Sequence, residues 1–161
     1  MCGELSTMYN KEALKYSKGV LEMAVDVYLI FNGNCREAVA FYEDVFNTEK
    51  AEIMTFGESP QSPDYPLPEE AKDLVMHTRL SIFGSRVMFS DTFPGSPFTV
   101  GNNITLAIVS DNEEQMRQAF DKLKDDSEVK MELQETFWSK CYGSLVDKFG
   151  IEWQFSHEEN K

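Results

Sequence analysis

Cysteine and histidine are scarce: the 161 residues include three cysteines, Cys2, Cys35 and Cys141, and two histidines, His77 and His157. The cysteines are scattered and form no CxxC pair, so neither a disulfide framework nor a zinc site is indicated, and buried or incidental thiols are expected. Positive charge is also short, with 15 Lys and Arg against 28 Asp and Glu and a net charge of −13. Such a surface repels phosphate backbones, which makes nucleic acids and anionic membranes poor partners. No apolar run approaches the roughly eighteen residues of a membrane helix. Residues 1–22 lack the basic start and apolar centre of a signal peptide, so a cytoplasmic protein is expected. A glycine-rich turn is missing too. Phe31-Asn32-Gly33-Asn34 holds a single glycine, which argues against a dinucleotide-type cofactor site.

Apolar residues make up 42% of the chain, enough for a real core. The run from Asp26 to Phe46 reads as a strand, a cap and an amphipathic helix. Val25, Val27, Leu29 and Phe31 alternate with Asp26, Tyr28 and Ile30, and apolar residues of both parities predict a strand buried on two faces. Asn34 stands as the helix N-cap with Glu37 as its capping-box acid, and Ala38, Phe41, Tyr42 and Val45 share one helical face. A shift of 78 positions carries Tyr28 to Leu106, Ile30 to Ile108, Ala38 to Met116, Tyr42 to Phe120 and Val45 to Leu123. Recurrence of strand, cap and helix in order indicates internal duplication.

Ala51–Phe56 reads as the next strand, followed by a loop from Gly57 to Pro68 with four prolines that suits a lid, a partner contact or a plain surface loop. Met76–Phe83 and Arg86–Asp91 form a hairpin about Gly84-Ser85, with Leu80, Ile82, Val87 and Phe89 on one face. Ile104–Val109, a helix capped by Asp111 with Glu114, Val129–Leu133, and the strands Tyr142–Asp147 and Ile151–Ser156 complete the second half. A shift of 66 maps Gly84, Val87 and Phe89 onto Gly150, Trp153 and Phe155. The fold class is therefore α+β, two tandem βαβββ modules. They span 23–92 and 103–157, joined by a linker at 93–102, with an N-terminal appendage at 1–22 (a short helix over Glu12–Lys18) and a tail at 158–161.

Five stretches carry a more specific likeness: Phe31-Asn32-Gly33-Asn34, Ala38 to Tyr42, Gly101-Asn102-Asn103-Ile104, Gln134-Glu135-Thr136-Phe137-Trp138, and Asp147-Lys148-Phe149-Gly150-Ile151-Glu152-Trp153. Together, over residues 24–157, they resemble the PhnB-like family of the vicinal oxygen chelate superfamily, the glyoxalase, bleomycin-resistance and dioxygenase group. That resemblance implies curved half-barrel sheets with helices on the convex side, a homodimer, and a ligand on the concave side. The superfamily's divalent metal would fall at Val27, Met88, Thr105 and Gln154. None of these is His, Asp or Glu, so no metal and no cofactor is predicted.

The concave lining expected from strand parity comprises Val27, Leu29, Phe31, His77, Arg79, Ser81, Met88, Ser90, Thr105, Ala107, Glu152 and Gln154, and the pair Phe137-Trp138 reads as plain core or as an aromatic cover over a ligand or a subunit contact, with Trp138 the candidate ligand residue. His77 is the best candidate for a general base, against a plain hydrogen-bonding role. Arg79 either pairs with Glu152 across the cavity or holds an anionic ligand, and pairing is the expected outcome. His157, in the acidic tail, is expected to be solvated, and Cys141 is not expected to be a nucleophile. The leading functional reading is a small-molecule-binding protein. An isomerase- or lyase-type enzyme using His77 or Glu152, and a structural or interaction module, are the alternatives. A methyltransferase has no support in these residues.

Overall fold

A computed structural model describes residues 25–60 and 66–159; Cys2, the expected helix over Glu12–Lys18 and the middle of the proline-rich loop lie outside the described residues. The first module runs β1 (Val27–Phe31), α1 (Cys35–Phe46), β2 (Met54–Thr55), β3 (Val75–Ile82) and β4 (Ser85–Asp91). The second runs β5 (Leu106–Ser110), α2 (Glu113–Leu123), β6 (Glu128–Gln134), β7 (Tyr142–Val146) and β8 (Glu152–His157). Each module is a four-stranded sheet with the same winding, β1-β4-β3-β2 and β5-β8-β7-β6, in which the first strand lies parallel to the last and the other pairs are antiparallel. This α+β architecture is that of the glyoxalase-like fold.

Both helices pack on one face of their sheets and merge into one core. Tyr42 of α1 touches Phe89 in its own sheet and Phe149 and Trp153 in the second module. Below these rings the buried carboxylate of Asp147 accepts from the Tyr42 hydroxyl at 2.7 Å, the Trp153 indole at 2.8 Å, and the Phe149 and Ile151 amides at 2.9 and 3.0 Å. A buried charge is tolerable when every lone pair is occupied in this way.

Several local expectations are corrected. The side chain of Asn34 makes no cap bond. Asp91, at the end of β4, does that work instead: its Oδ1 accepts from Gly33 N and Cys35 N and its Oδ2 from Val75 N, each at 2.9 Å. In the second module Asn112 rather than Asp111 caps the helix, accepting from Gln115 N. The turn between β3 and β4 is Phe83-Gly84, one residue earlier than expected, with φ of 47° and 82°. Positive φ at both central residues matches the twist of a hairpin, and Phe83 meets the cost by packing on Phe46. Of the expected strand Ala51–Phe56 only Met54–Thr55 pairs with β3. The residues before it are tied otherwise, Ala51 N donating to Glu43 Oε1 and Glu52 O accepting from Thr78.

The largest correction concerns β1. Val27 and Leu29 lie opposite Val87 and Phe89, as Leu106 and Ile108 lie opposite Trp153 and Phe155, so the strands repeat at a step of 79. The helices repeat at 78, Ala38 and Tyr42 matching Met116 and Phe120 on their buried faces. The connection from strand to helix is one residue shorter in the second module (111–112 against 32–34), and a one-residue slip exchanges the faces of a strand. Val27, Leu29 and Phe31 therefore face the core, and Phe31, only 3% exposed, stacks on Phe89. Nor is β1 buried on both faces. It is an edge strand, with Tyr28 43% and Ile30 53% exposed.

Candidate functional site

The face of the first sheet turned away from α1 is built from three rows across the strands. Asp26, Arg86 and Ser81 form the first, Tyr28, Met88 and Arg79 the second, and Ile30, Ser90, His77 and Met54 the third. Alternation along each strand puts these residues opposite the core residues Val87, Phe89, Leu80 and Thr78. Arg86 and Asp26 form an ion pair. The rings of Tyr28 and His77 lie 6.2 Å apart, tilted. Where this face meets the segment leading into β2, a groove of about 940 Å³ is lined by His77, Arg79, Ser81, Met54, Glu49, Glu52 and neighbouring residues. The groove wall is mostly polar and charged, with Ala51, Ile53 and Met54 among its apolar members, and the exposed apolar side chains of Tyr28 and Ile30 lie outside it on the same open face.

Of the residues expected to line a cavity, His77, Arg79, Met88 and Ser90 are brought together here, with Ser90 buried beneath its neighbours. Phe31 is not among them, for the reason already given. Tyr28, Ile30 and Met54 take its place and were not anticipated. For Tyr28 and Ile30 the signal in the sequence is the apolar residue at every position of β1, which leaves an uncovered apolar row whichever parity is chosen.

Thr105, Glu152, Gln154 and Trp138 belong to the open face of the second sheet. Thr105 Oγ1 donates to the Glu152 carbonyl at 3.1 Å, Tyr142 donates to Gln154 Oε1 at 3.0 Å, and Trp138, half exposed, lies against Tyr142 with ring centroids 5.4 Å apart. The expected Arg79–Glu152 pair is not formed: Glu152 pairs with Lys130 at 3.2 Å. His157 is not a solvated tail residue either. It ends β8, and its Nδ1 is buried without a hydrogen-bond partner among the described residues. Both described cysteines are free and buried. Burial, reinforced by the neighbouring Asp91 carboxylate, pushes the Cys35 thiol up to about 12, and burial raises Cys141 as well. Both shifts disfavour the thiolate near neutral pH.

Comparison with known proteins places this geometry. A family model described as 3-demethylubiquinone-9 3-methyltransferase matches residues 23–156. Protein YjdN of Escherichia coli (strain K12) is 32% identical over 143 residues, covering 83% of this chain and 95% of that protein. The chain is a member of the PhnB-like family. Among solved structures, protein PA1353 from Pseudomonas aeruginosa superimposes with a TM-score of 0.73 at 31% identity, over 86% of this chain and 100% of that one. The PhnB protein from Bacillus cereus gives a TM-score of 0.63 at 27% identity, over 84% and 100%.

Membership in the PhnB-like family raises two groups that the residues themselves test. The superfamily's divalent metal does not fit the positions to which it carries. Val27 lies in the core, Met88 offers a thioether, Thr105 donates its hydroxyl to a carbonyl, and Gln154 Oε1 already accepts from Tyr142. Among the described residues no group of three or more His, Cys, Asp or Glu is arranged to hold a metal. The methyltransferase in the family description implies a methyl donor, and the first strand-to-helix turn is not a glycine-rich binding turn for one: it holds a single glycine, and its Gly33 and Cys35 amides already donate to the Asp91 carboxylate.

Proposed function

We propose that this PhnB-like protein binds a small organic molecule on the open face of its first sheet. The observation that carries the reading is the uncovered apolar row of β1: Tyr28 and Ile30 are exposed at one edge of the open face, and His77, Arg79 and exposed Met54, on the far strands of the same rows, line the groove. Leaving three large apolar side chains in water forgoes on the order of 1.5–3 kcal/mol apiece relative to full burial. Covering them with a ligand recovers part of that, and His77 supplies a hydrogen-bonding group beside the ring of Tyr28.

The protein acts in the cytoplasm on this reading, which its free, buried Cys35 and Cys141 support. No helix among the described residues is long and apolar enough to cross a membrane. It works as a homodimer: exposed Val109, Phe137 and Trp138, with the outer strands β1, β2, β5 and β6, offer surface for a second copy. Sedimentation of a compact monomer at micromolar concentration contradicts the dimer.

The test of binding is a metabolite screen read by thermal shift, repeated with Tyr28→Ser. Tyr28 is exposed, so the substitution leaves the melting temperature of the free protein within a few degrees of its starting value. Any stabilising ligand is expected to lose about tenfold or more in affinity. A ligand whose affinity is unchanged by Tyr28→Ser overturns the site.

A further inference from the structure

Arg79 is singular among the cations of the described residues. Lys50, Lys72, Arg86, Arg117, Lys122, Lys124, Lys130 and Lys140 each have a carboxylate within ion-pair distance. Arg36 donates to the Asp73 carbonyl, and Lys148 lies over the rings of Phe41 and Phe149. Arg79 has none of these partners, in a chain with 28 acidic residues against 15 basic ones. Nor is it on an arbitrary part of the surface. Its row neighbours are Met88 and Tyr28, its neighbour along the strand is His77, and its side chain lines the groove.

We infer that Arg79 is the recognition element for a carboxylate, so that the ligand is a monoanionic carboxylic acid with an aromatic or branched apolar body. The inference rests on the open-face reading above. Row geometry sets the size of the ligand. From Arg79 to Tyr28 is two steps between strands, about 10 Å. A carboxylate held by the planar guanidinium fork therefore projects its body over Met88 onto Tyr28 and Ile30. Charge sets its valence. Glu49 and Glu52 line the same groove without reaching Arg79 at ion-pair distance, and the chain carries −13 overall, so a dianion such as a phosphonate meets more repulsion than a single carboxylate does.

The experiment compares three probes of one shape on the full-length protein: 2-naphthoate, the neutral 2-naphthamide, and 2-naphthylphosphonate at pH 8. Binding is followed by amide chemical shifts in Arg79→Met, Lys124→Met and the unaltered protein. Lys124 pairs with Glu132 in the second module, so its replacement removes the same charge elsewhere. The unaltered protein and Lys124→Met are expected to prefer naphthoate to naphthamide by about tenfold or more, the scale of a charge-assisted hydrogen bond. Arg79→Met is expected to lose that preference while still binding the amide. Preference surviving in Arg79→Met, or absent from the unaltered protein, overturns the carboxylate assignment alone. Tighter binding of the phosphonate overturns the single-charge requirement. If neither naphthoate nor naphthamide shifts an amide of β1, β3 or β4, the open-face reading falls and the carboxylate assignment with it.

Discussion

Asp147 and Tyr42 join the two halves of the molecule through one hydrogen bond. Tyr42 is fully buried in α1, and its hydroxyl is held well above its ordinary ionisation range by burial first and by the Asp147 carboxylate second, so it stays a donor at any physiological pH. Removing that hydroxyl keeps the ring contacts with Phe89, Phe149 and Trp153 and deprives a buried carboxylate of one of its four donors. Tyr42→Phe is accordingly expected to cost about 1–3 kcal/mol in chemical denaturation. A loss too small to measure would mean that water replaces the hydroxyl. The rings of this cluster were legible in the sequence, since Ala38, Tyr42 and Val45 mark a helical face. Asp147 carries no such mark, because nothing local distinguishes a buried carboxylate with four partners from one in an ordinary turn. Its partners come from α1, more than a hundred residues away, from its own turn and from Trp153 of β8.

At the scale of the element, the start of α1 is governed by β4. Three amides converge on the Asp91 carboxylate, which ties the turn after β1 and the first residue of β3 to the end of β4. Asp91→Ala leaves those three donors without their acceptor, two of them buried. The variant is expected to lose about 3 kcal/mol or more of stability and to show raised hydrogen exchange at Gly33, Cys35 and Val75. Unchanged exchange at those amides contradicts the cap. Capping by a residue 56 positions away from Cys35 is invisible to local pattern, which is why Asn34 reads as the cap in the sequence. The same dependence on a distant partner explains the parity of β1. With apolar side chains at 27–31 throughout, alternation carries no information about which row is inside, and the answer depends on a connection that is one residue longer in the first module than in the second. The turn at Phe83-Gly84 differs from expectation by a similar single step, because a phenylalanine at positive φ is not a sequence signal for a turn.

For the whole molecule, the repeat was the legible feature and the ligand site was not. Two βαβββ modules follow from two rounds of strand, helix and hairpin, and the family is visible in several words spread along the chain. The site depends on which face of each sheet the helices leave open, and there Tyr28, Ile30 and Met54 replace Phe31 while Trp138 and Gln154 fall on the second sheet. No hydrogen bond, ion pair or ring contact recorded for these residues joins the two open faces. Binding on the first sheet therefore has its own structural signature. The most direct measurement is amide chemical-shift mapping of the full-length protein titrated with the strongest ligand from the screen. The largest changes are expected within Val27–Phe31, Val75–Ile82 and Ser85–Asp91, the strands that form the first open face. Changes concentrated instead on Leu106–Ser110, Tyr142–Val146 and Glu152–His157 would contradict the account.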